Sequence, residues 1–277
     1  MPTQAEKGTA FRALHRRDRA FIIPNPWDIG TARLLQMLGF EALATTSAGF
    51  AYSIGKPDGE VDRDTMLAHA AALVAATDLP VSADLENGYA DGPAQVAETV
   101  RMAAEIGLAG CSIEDVPGGR GDGPYELSHA ADRVRAAAEA AHAIPFPFIL
   151  TARAENYIVG CPDLNNTIAR LQAFQEAGAD VLFAPGLKNK QDISAVVNSV
   201  DRPVNVIMGL QGVQLSLAEL SDLGVKRVSV GSALSRAALG AFLRAAREMQ
   251  AHGTFTFAED AEKYADLNAM FRGDNGN

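Results

Sequence analysis

The chain has 277 residues, 48% of them hydrophobic and 21% charged, an ordinary globular composition. Lys and Arg total 24 against 34 Asp and Glu, a net charge of −10, which argues against nucleic acid or anionic lipid as the main partner. Two cysteines make no disulfide framework, and no apolar run has the length of a signal-peptide core or a membrane span, so a cytoplasmic protein is expected.

Short apolar runs rich in β-formers recur along the chain. They lie at 20–25 (AFIIPN), 41–47 (EALATTS), 79–86 (LPVSADLE) and 109–115 (AGCSIED). Four more lie at 146–153, 179–185, 202–208 and 225–231. Ala/Leu-rich stretches with helical spacing separate most of them, among them TARLLQMLGF and AQVAETVRMAAEIG. Gly39, Gly107, Gly178 and Gly224 each follow such a stretch, where a helix C-terminus needs a left-handed residue before the next strand. Eight strands alternating with helices predict an α/β protein, a single (β/α)8 TIM barrel domain over 1–277 with its barrel at about 20–240. An open doubly wound sheet is the competitor, weakened because no G-x-G-x-x-G follows the first strand. Past the eighth strand, amphipathic helices are expected at 232–250 and 257–271.

Chemistry in such a barrel gathers at the C-terminal strand ends. Strand two ends at Thr45, Thr46 and Ser47, strand three at Asp84 and Glu86, strand four at Glu114 and Asp115. Strand five ends at Arg153 and Glu155, and strand seven offers Asn205. Asp84 and Glu86 are two apart, which on an extended chain puts both carboxylates on one face. One strand-end Asp is more often a cap or turn residue than a ligand. Carboxylates on adjacent strands would repel in a half-buried pocket, and a divalent cation relieves that. Oxygen donors without His or Cys point to Mg2+ or Mn2+.

TTSAGFAYSIGKPDGE, VSADLENGYADG, GCSIEDV and ILTARAENY, in this order and spacing, resemble the isocitrate lyase/phosphoenolpyruvate mutase superfamily over about 20–240. The resemblance implies a Mg2+-dependent lyase that breaks a C–C bond next to a small α-oxo acid through an enolate. It implies Asp84 as the direct metal ligand, with Asp58, Glu86 and Glu114 mostly holding metal-bound waters. Thr46, Ser47 and the backbone at Ala48 and Gly49 resemble the family's grip on the substrate carboxylate. Arg153 resembles the arginine that clamps the oxo-acid end, a role that suits its planar fork. A homotetramer, a dimer of dimers with exchanged C-terminal helices, is implied as well.

Departures narrow the expectation. The family lyases' Lys-Lys-Cys-Gly-His signature is absent; the segment after strand four reads EDVPGGRGDGPYELSH. That glycine-rich stretch could form a lid bringing Arg120 onto a substrate anion. His129, just past it, is the one histidine considered as an acid/base. Cys111 reads as a small core residue. Ala184 stands where relatives commonly carry glutamate, and VNVIMG lacks the polar residues with which the lyases read tricarboxylic substrates; both favour a smaller diacid, of oxaloacetate type, among the isocitrate, methylisocitrate and oxaloacetate types that the resemblance implies. The alternatives are P–C cleavage of phosphonopyruvate, a phosphate grip at VSVGSALSR on strand eight, and a non-catalytic α-oxo acid binder.

Overall fold

The computed structural model describes residues 2–118, 123–210 and 212–273. All eight apolar runs become strands: β1 (Phe21–Ile23), β2 (Leu43–Ala44), β3 (Val81–Asp84), β4 (Gly110–Glu114), β5 (Ile149–Arg153), β6 (Val181–Phe183), β7 (Val204–Ile207) and β8 (Arg227–Ser229). Every pairing is parallel and the order runs β1-β8-β7-β6-β5-β4-β3-β2. The seam between β1 and β2 is crossed by Ala44 N–H donating to Pro24 O at 3.1 Å and by Asn25 Nδ2 donating to Thr45 O at 2.9 Å. The result is a nearly closed (β/α)8 barrel.

The surrounding helices are α1 (Gln4–Leu14), α2 (Ile29–Met37), α3 (Ser47–Ser53), α4 (Arg63–Ala76), α5 (Pro93–Glu105) and α6 (Leu127–His142). They continue with α7 (Leu164–Glu176), α8 (Lys190–Asn198), α9 (Leu217–Asp222), α10 (Ala233–His252) and α11 (Tyr264–Arg272). Gly39, Gly107, Gly178 and Gly224 take φ of 84°, 96°, 104° and 88°, the left-handed turn expected of them. The helix expected at 257–271 is shorter: a 3-10 turn spans Thr256–Glu259 and α11 begins only at Tyr264. Among the described residues no helix is long and apolar enough to cross a membrane.

Two elements close the barrel from outside the repeating units. The N-terminal α1 lies against the N-terminal end, where Phe11 and Leu14 join Phe21, Ile23, Ala109 and Ile149 in a buried cluster. Gly8 permits the approach, since a Cβ there would stand 2.1 Å from Pro147 O. At the other flank α11 packs on α2, with Phe271 against Gly30. Leu239, Phe242 and Leu243 of α10 remain exposed.

Candidate active site

Inward-facing positions at the strand ends surround a cavity of about 250 Å³. Arg153 ends β5, and its register partner on β4 is Glu114, so opposite charges leave neighbouring strands side by side. The guanidinium donates to Asp84 Oδ1 at 3.0 Å, to Glu114 Oε1 at 3.0 Å and to Glu155 Oε1 at 2.7 Å. It lies over the Phe183 ring, 5.1 Å from the centroid. The Arg153, Asp84 and Glu114 side chains keep 15% to 18% exposure, so the cluster opens on the cavity. Burial works against the charge of Arg153, but Glu114, Glu155 and Asp84 outweigh it and hold the guanidinium protonated. Burial pushes the Glu114 carboxyl well up, with Glu155, Asp84 and Glu86 adding to it and Arg153 opposing.

Ser47, the first residue of α3, ties the acids together. Its Oγ lies 2.9 Å from Asp84 Oδ2 and 3.2 Å from Asp58 Oδ1, and its N–H donates to Asp84 Oδ2 at 3.2 Å. A second hollow of about 40 Å³ adjoins this group, lined by Ser47, Asp58, Glu86, Asn87 and Glu114 among others. Glu86 reaches it by a route the strand pattern does not predict. The extended chain stops at Asp84, and Glu86 and Tyr89 take φ of 48° and 58° in the following turn. The two carboxylates therefore do not share a strand face. Glu86 enters from the loop, on the far side of Leu85, which is fully buried.

These donors suit a hard cation. Three carboxyl groups converge on one guanidinium, and Asp58 and Glu86 stand beside them. Among the described residues no three Asp, Glu, His or Cys side chains are arranged to hold a metal ion directly. A cation that keeps several of its waters, as Mg2+ does, would need few direct protein ligands here.

The remaining expected residues divide. Thr46, Ser47, Ala48 and Asn205 line the cavity. Gly49 does not: its N–H caps onto Thr46 Oγ1 at 3.2 Å, and a Cβ there would meet Thr46 Cγ2 at 2.5 Å. Its smallness serves packing, and its N–H is already spent on the cap. Arg120 lies outside the described residues. Ala184 is buried and does not line the cavity; its neighbours Phe183 and Pro185 do. His129 contacts Asp91 O at 3.0 Å and the edge of the Tyr125 ring, away from the cavity. Cys111 is a fully buried core residue, as expected. At strand eight, Val230 N–H and Gly231 N–H both donate to Asn25 Oδ1 at 2.9 Å, which leaves a phosphate grip there without those two donors.

Three residues that matter to the site escaped sequence reading. Asn25 joins β1, β2 and β8 through the bonds just described. Arg133, buried in α6, donates to the carbonyls of Asn87, Ala90, Asp91 and Glu114, fixing the loops that carry the acids. Arg227, on β8, lines the cavity from inside the barrel. Nothing in DRVRA or VKRVS marks either arginine apart from surface basic residues.

A family model described as phosphoenolpyruvate phosphomutase matches residues 11–250. A solved structure from Burkholderia cenocepacia J2315, named "a putative lyase/mutase", is 62% identical, with a TM-score of 0.94 and coverage of 97% of this chain and 96% of that one. An uncharacterized protein of Mycobacterium tuberculosis is 35% identical, covering 86% of this chain and 88% of its own length. The "Probable 2-methylisocitrate lyase 2" of Corynebacterium glutamicum is 30% identical, covering 86% and 78%.

Proposed function

The chain belongs to the phosphoenolpyruvate phosphomutase family, within the isocitrate lyase superfamily, and from that premise we propose that it is a Mg2+-dependent lyase cleaving a C–C bond next to a small α-oxo acid. The observation that carries this reading is Arg153 ringed by Asp84, Glu114 and Glu155 at the cavity, with Ser47 binding Asp84 and Asp58. Asp84 would hold the ion directly, and Asp58, Glu86 and Glu114 would hold its waters. Bound there, Mg2+ supplies Lewis-acid stabilisation of developing negative charge. Arg153 orients the oxo-acid end by paired hydrogen bonds and stabilises the enolate oxygen as its charge grows. Thr46, Ser47 and Ala48 position the adjoining carboxylate. Buried Phe183 gives the cavity an apolar wall beside Arg153.

Substrates of this reading are isocitrate-, methylisocitrate- or oxaloacetate-type acids, in a cytoplasmic homotetramer. The test is pyruvate, glyoxylate and phosphate release from oxaloacetate, isocitrate, 2-methylisocitrate and phosphonopyruvate, with and without Mg2+, for the wild type and Asp84→Ala. Mg2+-dependent release of an α-oxo acid, lost in Asp84→Ala, is expected. Phosphate release from phosphonopyruvate alone would move the protein to P–C chemistry. Silence on all four would overturn catalysis on this substrate class.

A further inference from the structure

Arg227 stands apart from the other buried arginines of this barrel. Arg153 faces three carboxylates, Arg170 pairs with Asp115 at 3.0 Å, and Arg133 is spent on four carbonyls outside the cavity. Arg227, only 5% exposed, lines the cavity, yet its bonds go to neutral groups. Nε donates to Asn205 Oδ1 at 2.9 Å, Nη2 to Thr151 Oγ1 at 2.9 Å, and Nη1 lies 3.4 Å from His15 Nε2. A guanidinium carries five N–H groups. Three are used here, so each terminal nitrogen retains one N–H that no described residue takes up. No carboxylate of the described residues bonds to it, although buried charges are normally paired.

The surroundings keep that charge in place and uncompensated. His15 Nδ1 is 2.8 Å from Phe11 O, which fixes it as the donor and turns Nε2, an acceptor, to Arg227. Burial, then Arg227 itself, pushes His15 down to about 3, so the imidazole stays neutral. Burial and the more distant Arg153 push Arg227 down to about 9, still charged at neutral pH. Asn205 is locked between Arg227 and Ser229, its Nδ2 donating to Ser229 Oγ at 3.0 Å. Barrel interiors are usually filled by bulky branched side chains. Here Ala44, Ser82, Ser112 and Ser229 line the cavity and leave it open toward Arg227. The cavity thus holds its carboxylates at the ends of β3 and β4, gathered around Arg153 of β5, and a guanidinium without a carboxylate partner among the described residues on β8.

We infer that Arg227 is a specificity-determining residue that receives the second, non-reacting carboxylate of a diacid substrate. This rests on the reading that the α-oxo end sits at Asp84 and Arg153. The site selects against monoacids, which leave the guanidinium without a counter-ion, and against substrates whose far end is neutral.

The test uses two probes that share the α-oxo end and differ in that far charge, 2-oxoglutarate and its distal (C5) methyl ester, titrated calorimetrically with Mg2+. Wild type is expected to bind the diacid at least about tenfold tighter, the worth of one charge-assisted hydrogen bond. In Arg227→Met the difference should collapse while pyruvate affinity stays within about twofold; Arg227→Lys should retain part of it. Equal affinity of wild type for the two probes, or no binding of the diacid, overturns the inference even if neither variant folds. A difference that persists in a folded Arg227→Met overturns it too. Loss of pyruvate binding by the wild type, with the diacid preference intact and Arg227-dependent, would overturn the α-oxo reading and leave the role of Arg227 standing.

Discussion

At the scale of single residues, environment decides what an ionisable group does. His15 and His129 have the same side chain; one is sealed between Phe11, Phe21 and Arg227, the other sits at an exposed loop bond. His15 is held neutral because its folded pKa, near 3, lies below the usual 6.5. The unfolded chain therefore binds the extra proton. The stability due to this residue is complete above pH 6.5 and is lost as pH falls toward 3, about 2 kcal/mol of it by pH 5. Thermal melts of wild type and His15→Gln at pH 7 and pH 5 check this: the wild type should lose more of its melting temperature than the variant. Of the site, Asp84, Glu114 and Arg153 were legible because strand alternation fixes their direction. Glu86 was half legible, since its residue type was right and its approach depended on a left-handed turn that Glu seldom adopts. Gly49 has a packing reason that its sequence context does not show: an added Cβ would stand 2.5 Å from Thr46 Cγ2 and 3.2 Å from Trp27 Cβ.

At the scale of elements, the eight strands and the four glycine stops were legible from periodicity and turn chemistry. What was not legible depended on tertiary partners. The short α3 is held by the Thr46 cap and by Ser47 bonding to Asp84 at the end of the neighbouring strand β3. The second C-terminal helix starts late because residues 254–257 fold back on Glu248, whose carboxylate accepts from Thr254, Thr256 and Phe257. The docking of α1 turns on Gly8. In Gly8→Ala the added methyl meets Pro147 O and α1 must lift, at a cost of roughly 1–3 kcal/mol. A lowered urea midpoint with an unchanged slope would be the expected result, and an unchanged midpoint would show that α1 is not pressed against the barrel.

At the scale of the whole molecule, the alternation of strand and helix made the barrel readable, because only one closed architecture uses eight such units. An assembly is implied by the resemblance alone. The apolar side chains of Leu239, Phe242 and Leu243 on α10 lie open in the single chain, the kind of surface that a second copy covers. Light scattering of the purified protein is expected to give a tetramer mass, and a monomer would exclude the exchanged-helix arrangement.

The α1 plug has a kinetic consequence. With Phe11 and Leu14 filling one end of the barrel, the reaction chamber is a blind alley, and what enters by the strand-end mouth must leave by it. When a bond is cut inside, the fragment nearer the plug is corked by the one nearer the door. Departure is then last-in, first-out: the outer fragment leaves first and gives mixed inhibition against substrate, while the inner fragment competes with it directly. The order in which the two products inhibit turnover would therefore report which end of the substrate enters first.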